Sequence, residues 1–121
     1  MKVKGVEVTE RGWAGHYICS NYCRFRRNTL LEYEDKKWIV STVGACMFPG
    51  DKKPREIGLG RYYETMVFEA ELQGEYLDAN VSKEMWPESS WAIEEITDDV
   101  DNRANDMHET IVKEFIEKIK K

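Results

Sequence analysis

The sequence predicts an α+β fold in which an N-terminal body of antiparallel β-sheet packs against a C-terminal helix or helices. Residues 2–8 alternate polar with small or apolar side chains, as a half-buried strand does. Residues 29–43 contain two runs rich in β-branched and aromatic residues on either side of a polar turn at residues 34–37, which is the pattern of a β-hairpin. Residues 97–119 repeat apolar side chains at three- and four-residue spacing, which is typical of an amphipathic helix.

The chain of 121 residues has the length of one domain, with residues 1–82 mostly β and residues 83–121 a connection followed by the C-terminal helix. Its composition, 41% hydrophobic and 12% aromatic, is that of an ordered protein. No apolar run is long enough to span a membrane, and the first residues do not form a secretory leader. We therefore expect a cytoplasmic protein without a membrane partner.

The remaining elements follow from the same patterns. A second strand is predicted from His16 to about Ser20, a long strand at residues 61–72 and a further strand at residues 75–81. Residues 44–51 have the composition of a turn that closes the hairpin, and residues 91–96 fit either a strand or a short helix. The helix has its N-cap within residues 97–99, and its apolar stripe consists of Val100, Ala104, Met107, Ile111, Phe115 and Ile119. Arg103, Asn105 and His108 are expected on the flanks of this stripe.

The net charge of −5 is divided unevenly along the chain. Residues 1–61 contain twelve Lys or Arg and seven Asp or Glu, a net +5, whereas residues 62–121 contain six and sixteen, a net −10. The basic half can attract a small anion, and the two halves can pair within one fold or between subunits. An acidic chain lacks the extended basic surface that long nucleic acid requires, so we expect no such partner.

Three arginines and an asparagine are concentrated at the start of the predicted hairpin. On a strand, Arg24, Arg26 and Asn28 share one face, while Phe25 and Arg27 point to the other. Arginine forks beside aromatic side chains suit a phosphorylated ring compound. The alternative is that these arginines are solvated edge-strand charges paired with carboxylates.

Neither a metal site nor a catalytic constellation stands out. His16, Cys19, Cys23 and Cys46 are potential zinc ligands, but Cys19 and Cys23 on an extended chain lie roughly 13 Å apart, too far for one ion. We therefore expect buried, inert thiols, no disulfide in the cytosol, no metal and no cofactor. Because no glycine-flanked nucleophile is present, we expect no catalytic residues, and a binding role is favoured over an enzymatic one.

Three stretches together resemble the small phage Thoeris anti-defence sponges of the first type. They are the Arg-Gly-Trp-Ala-Gly-His loop at residues 11–16, the Phe-Arg-Arg-Asn-Thr run at residues 25–29 and the Asn-Arg-Ala-Asn-Asp-Met-His segment at residues 102–108. The resemblance implies a protein of the host-cell cytoplasm that sequesters glycocyclic ADP-ribose, the signal made by bacterial TIR-domain immune proteins, without cleaving it. It also implies a homodimer whose pockets combine the sheet of one subunit with a helix of the other, and some members assemble further.

By matching stretches, the resemblance implies that the ligand-binding residues are Arg11, Trp13, His16, Arg24, Asn28, Arg61, Arg103, Asn105 and His108. Two other classes of function stay open. One is a small nucleotide-processing enzyme that uses His16 or His108 as an acid or base. The other is a protein-interaction inhibitor of another bacterial defence system, with Trp86, Trp91 and Phe48 as anchors.

Overall fold

The computed structural model describes residues 1–11, 20–58, 60–73, 76–84 and 92–120 of the chain. This part of the chain forms an antiparallel sheet followed by a C-terminal helix, so the predicted α+β fold with an N-terminal sheet is confirmed. The strands are β1 (Lys2–Val3), β2 (Val6–Glu10), β3 (Cys23–Tyr33), β4 (Lys36–Cys46), β5 (Tyr63–Gln73), β6 (Tyr76–Glu84) and β7 (Ala92–Ile93). A 3-10 turn at Ser20–Tyr22 precedes β3, and the helix α1 covers Val100–Ile119.

The sheet is a meander in which strands β1 to β6 lie side by side in chain order. The short strand β7 pairs with the first residues of β5, through Tyr63 with Ile93 and Glu64 with Ala92. Of residues 91–96, for which the sequence allows a strand or a short helix, Ala92 and Ile93 form this strand. Among the residues described, no helix combines the length and apolar character that crossing a bilayer requires.

The N-terminal segment forms a hairpin, so the prediction of one strand over residues 2–8 was wrong. Lys4 and Gly5 separate β1 from β2 and both have positive φ, 50° and 85°. A two-residue hairpin turn of type I′, whose twist matches that of its two strands, requires positive φ at both residues. The alternation of polar and apolar residues continues across this turn, which concealed it in the sequence.

The β3–β4 hairpin lies where it was predicted, but its turn is shorter and its second strand longer. Tyr33 pairs with Lys36, so the turn consists of two residues, and Glu34 adopts a φ of 57°. Strand β4 also continues through Gly44 to Cys46, where a turn was expected. Gly44 pairs with Tyr63 of β5, and a Cβ atom at position 44 would overlap the Tyr63 ring. The glycine permits a close approach between strands and does not form a turn.

The helix packs on one face of the sheet through the predicted stripe. Val100, Ala104, Ile111 and Phe115 are buried, and Met107 and Ile119 pack at the margin of the core. Trp38 of β4 meets Phe115 edge to face, with ring centroids 5.7 Å apart. The opposite face of the sheet has its own buried cluster of Leu30, Ile39 and Phe68, with Met66 and Ala70 beside it.

The N-terminus of α1 is attached to the sheet by Tyr63, whose hydroxyl donates a hydrogen bond of 2.9 Å to Asp101 Oδ1. Burial, and then the Asp101 carboxylate, raise the pKa of Tyr63 well above its usual value, so the hydroxyl keeps its proton. We expect Tyr63→Phe to lower the free energy of unfolding by about 1.5 kcal/mol, measured by urea denaturation.

Asp101→Asn is the matched control for this prediction, since it keeps an acceptor oxygen at the same position and removes only the charge. We expect it to cost less than Tyr63→Phe. An unchanged unfolding midpoint for Tyr63→Phe would show that the hydrogen bond does not hold the helix end to the sheet.

Several sequence predictions concern residues outside the described part of the chain. They are most of the predicted strand at residues 16–20, the positions of Trp13 and His16, and the connection containing Trp86 and Trp91. Of the predicted strand, Ser20 is described, and it begins the 3-10 turn. The predicted strand at residues 75–81 corresponds to β6, which continues to Glu84.

Candidate functional site

The predicted alternation along β3 is present in the structure. Phe25 is buried against Val100 and Ala104 of α1, and Arg27 contacts Asn105 and Glu109 of the same helix. Because successive strand residues point to opposite faces, Arg26 and Asn28 lie on the face of the sheet away from α1, and Arg24 continues the run of polar residues along β3. We call these three residues the polar stripe. Arg24 is exposed, Arg26 is half-buried and Asn28 is 1% exposed.

Arg11 joins the polar stripe through Asn28. Its backbone N–H donates to the Asn28 carbonyl at 2.7 Å, and its guanidinium Nε donates to Asn28 Oδ1 at 2.9 Å. This contact arises because β2 ends at Glu10, which pairs with Thr29, so that the next residue of one strand meets the preceding residue of the other. Strand register thus brings together two residues that are 17 positions apart in the sequence.

The Asn28 side-chain nitrogen, Nδ2, is buried and has no hydrogen-bond acceptor among the residues that the structure describes. A buried amide N–H left unsatisfied costs about 1–3 kcal/mol. Ser41, the residue opposite Asn28 on β4, is buried as well. Next to a guanidinium, such a nitrogen is suited to an oxygen acceptor supplied from outside the described residues.

On the helix side of the sheet, Arg27 belongs to an ion-pair network and is not available to a ligand. Its Nη2 lies 2.6 Å from Glu10 Oε2 and 2.7 Å from Glu109 Oε1, and its Nη1 lies 3.4 Å from Asn105 Oδ1. Burial opposes the charge on both Glu10 and Arg27. Burial is outweighed by their mutual hydrogen bonds together with those of Thr29 to Glu10 and of Arg27 to Glu109 and the attraction between the charges, so the pKa of Glu10 is lowered and that of Arg27 is raised. For this arginine, the alternative of a carboxylate-paired charge is the one that the structure shows.

His108 is fully buried in the seam between α1 and the sheet, so the expectation that it lies on a flank of the helix was wrong. Its Nε2 is 2.7 Å from Thr29 Oγ1, and its Nδ1 is 2.7 Å from Thr42 Oγ1. Burial, and then the charge of Arg27, lower the pKa of His108 to about 4. The ring is therefore neutral near pH 7.

The neighbouring groups determine which ring nitrogen of His108 carries the proton. The ionised Glu10 carboxylate can only accept, so Thr29 donates its single hydroxyl proton to Glu10 Oε2 at 2.7 Å. Thr29 must then accept from His108 Nε2–H, and Nδ1 accepts from Thr42. Thr42 in turn accepts from Thr65 at 2.6 Å. The result is a directed hydrogen-bond chain in which every proton points toward Glu10.

The predicted ligand-binding residues that the structure describes, which exclude Trp13 and His16, do not converge within one chain. Arg11, Arg24 and Asn28 lie together at the polar stripe, whereas Asn105 and His108 lie on the helix side of the sheet. Arg103 is exposed on α1, and its Nη1 donates to Thr97 Oγ1 at 3.1 Å. Arg61 lies just before β5, with its Nη1 3.4 Å from Glu64 Oε2.

The sequence reasoning missed the polar groups around His108, namely Glu10, Thr29, Thr42 and Thr65. The three threonines lie on adjacent strands in positions that point toward α1. Their common orientation follows from the pairing of Thr29 with Val40 and of Thr42 with Thr65, which a single sequence does not reveal. The alternation of side chains along each strand predicts which face each threonine is on. It does not predict that the three threonines lie next to one another.

Cys23 and Cys46 are buried thiols, as predicted. Within the described ranges, no group of three or more His, Cys, Asp and Glu side chains is arranged to hold a metal ion. Comparisons of the chain with protein-family models, with curated proteins and with solved structures gave no match.

Proposed function

We propose that this protein binds and sequesters a cyclic ADP-ribose signal, glycocyclic ADP-ribose made by TIR-domain immune proteins, and does not cleave it. The observation that carries the proposal is the polar stripe with Arg11, where a buried amide nitrogen without an acceptor among the described residues lies beside a row of arginines. The resemblance to the phage anti-defence sponges supplies the identity of the ligand, and the chemistry of the stripe is compatible with it.

The chemistry of the ligand matches the stripe group by group. Its two phosphates are partners for the exposed Arg24 and the half-buried Arg26, since guanidinium forks bind phosphate oxygens through paired hydrogen bonds. A ribose hydroxyl or phosphate oxygen is the acceptor that Asn28 Nδ2 requires. The fixed contact between Arg11 and Asn28 holds the amide in place before the ligand arrives, which reduces the entropy lost on binding.

The environment of His108 supports binding over turnover. An acid or base must reach the atom whose proton it transfers. Both nitrogens of His108 are occupied by threonine hydroxyls under the helix, and its low pKa keeps it neutral. The alternative of a nucleotide-processing enzyme would therefore depend on groups other than this histidine.

We also propose that the protein acts as a homodimer. The polar stripe and the helix residues Arg103 and Asn105 lie on opposite sides of the sheet, so a pocket that uses both needs the helix of a second chain. We expect light scattering at micromolar concentration to give twice the chain mass of 14.2 kDa. A mass near that of one chain would contradict the proposal of a pocket shared by two chains. It would not contradict a binding site at the polar stripe of a single chain.

The decisive test is calorimetry with purified glycocyclic ADP-ribose, followed by chromatography of the material released on heating. We expect tight binding and return of the ligand unchanged, because slow release from a desolvated site needs no chemistry. The absence of a heat signal at tens of micromolar would contradict the proposal. A signal followed by recovery of an altered ligand would keep the site and move the protein to the enzyme class.

Arg24→Ala is expected to weaken this binding by about 2 kcal/mol, or roughly thirty-fold, because one phosphate loses a charged partner. Lys113→Ala is the matched control, since it removes one positive charge from an exposed position of α1. We expect the control to bind like the unmodified protein. Equal losses in the two variants would mean that net charge, and not a contact at the polar stripe, governs the affinity.

A further inference from the structure

Two cysteines face each other where the β3–β4 hairpin begins and ends. Cys23 is the first residue of β3, Cys46 is the last residue of β4, and the two are direct partners in the strand pairing. Both are buried, 4% and 2% exposed, in one cluster with Val43 and Ile57. Their side chains therefore lie on the same face of the sheet and at the same level along it.

The backbone hydrogen bonds show which kind of pair this is. Met47 N donates to Tyr22 O at 2.8 Å, so the hydrogen-bonded pair is Tyr22 with Met47, next to the two cysteines. Cys46 O accepts from Arg55 N at 2.8 Å, on the side away from β3. Cys23 and Cys46 thus occupy a non-hydrogen-bonded position, where opposite Cα atoms are about 4.5 Å apart and side chains are closest. That separation falls within the range that a disulfide spans.

From this geometry we propose that Cys23 and Cys46 form a reversible intrachain disulfide when a low-molecular-weight disulfide such as oxidised glutathione is present. In the first step, the thiolate of one cysteine attacks a sulfur of the oxidised glutathione, giving a mixed disulfide and releasing one glutathione thiolate. In the second step, the other cysteine attacks the protein sulfur of the mixed disulfide and releases the second glutathione. Two protein thiols are oxidised, one glutathione disulfide is reduced to two thiols, and two protons move to the products.

The position of the pair at the strand ends determines both its access and its effect. A strand end opens more readily than the centre of a sheet, so the buried sulfurs meet a small reagent without global unfolding. The bond closes a ring that contains the whole β3–β4 hairpin, residues 23–46. Closing a ring of this size restricts the unfolded chain and shifts the folding equilibrium toward the native state by on the order of a hundred-fold. This inference is independent of the proposed ligand.

The test uses the full chain with Cys19→Ser, which leaves Cys23 and Cys46 as its two cysteines. The protein is brought to equilibrium in glutathione buffers of stepped oxidised-to-reduced ratio, once from the reduced native protein and once from oxidised, denatured protein that is allowed to refold. After acid quenching and alkylation, mass spectrometry measures the loss of two hydrogens. Trypsin then gives peptides 12–24 and 38–52, each with one of the two cysteines.

We expect both starting points to converge on a cross-link between these two peptides without bound glutathione. Urea unfolding of the oxidised form should give a folding equilibrium constant on the order of a hundred-fold larger than that of the reduced form. A Cys46→Ser control in the same background should give no cross-link, only a glutathione adduct on Cys23. Convergence on two reduced thiols, or on singly or doubly glutathionylated chains, would overturn the proposal. A cross-link found only while the chain is denatured would overturn it as well.

Discussion

Replacing Gly44 with alanine should destabilise the folded protein by about 4 kcal/mol, the largest effect that we expect from a single added methyl group. A Cβ at this position would overlap three atoms of the Tyr63 ring, including Cγ, which is fixed close to the backbone. Tyr63 is 1% exposed and is held by its hydrogen bond to Asp101, so its ring has no space into which to move. Overpacking of this kind forces shifts of the backbone or of a side chain away from its preferred rotamer.

Urea denaturation of Gly44→Ala measures the loss, and two further variants identify its cause. Gly50→Ala is the control, since Gly50 has a φ of 90° and nothing within 4 Å of the added atom, so its cost of about 1 kcal/mol comes from the backbone alone. In a Tyr63→Leu background, Gly44→Ala should cost much less, because the two changes act on one contact. Additive effects of the two changes would show that the ring is not the obstacle.

Lowering the pH from 7 to 4 should remove about 3 kcal/mol of stability through His108 alone. Its pKa is about 4 in the folded protein and about 6.5 in the unfolded chain, so the unfolded chain binds the proton first as the pH falls. The contribution is fully present above pH 6.5 and is lost progressively as the pH falls to 4. Glu10, whose pKa is lowered in the folded protein, adds a loss of the same sign at the acid end.

The measurement is the free energy of unfolding in urea at intervals between pH 4 and 7, for the unmodified protein and for His108→Gln. Glutamine does not titrate but keeps an amide donor and acceptor toward Thr29 and Thr42. We expect the variant to be less stable at pH 7 and to show a flatter pH dependence. Because His16 is present in both proteins, its contribution cancels in the comparison. Parallel curves would mean that His108 does not titrate with unfolding.

The parts of the fold that depend on local pattern were predictable from the sequence. The C-terminal helix was found because its apolar residues recur at helical spacing, and the β3–β4 hairpin because two β-rich runs flank polar residues. The prediction of a turn at Gly44 was wrong because a glycine near the end of a strand can indicate either a turn or a close contact, and only the pairing with Tyr63 decides between them. The Lys4–Gly5 turn was missed because the alternation of side chains passes through it unbroken.

The candidate site was also predictable only in part, because a single sequence does not reveal which strands pair or in which register. The polar stripe follows from the two-residue period of one strand, which places Arg26 and Asn28 on one face. The contact between Arg11 and Asn28 depends on the pairing of β2 with β3, which no local pattern contains. The sequence predicts a flank position for His108 because the apolar stripe passes through the neighbouring Met107. Its spacing of four from both Ala104 and Val112, two buried residues, already placed it on the buried side.

The hydrogen-bond chain through His108 opposes sliding of α1 along the sheet. An apolar interface alone tolerates sliding, because one aliphatic contact is readily exchanged for another. Moving α1 along its axis by one turn, about 5.4 Å, would strip both ring nitrogens of their threonine partners and leave buried hydroxyls unsatisfied. The hydrogen bonds of His108 therefore fix the position of α1 along its axis. They also fix the positions of Arg103 and Asn105 relative to the strands.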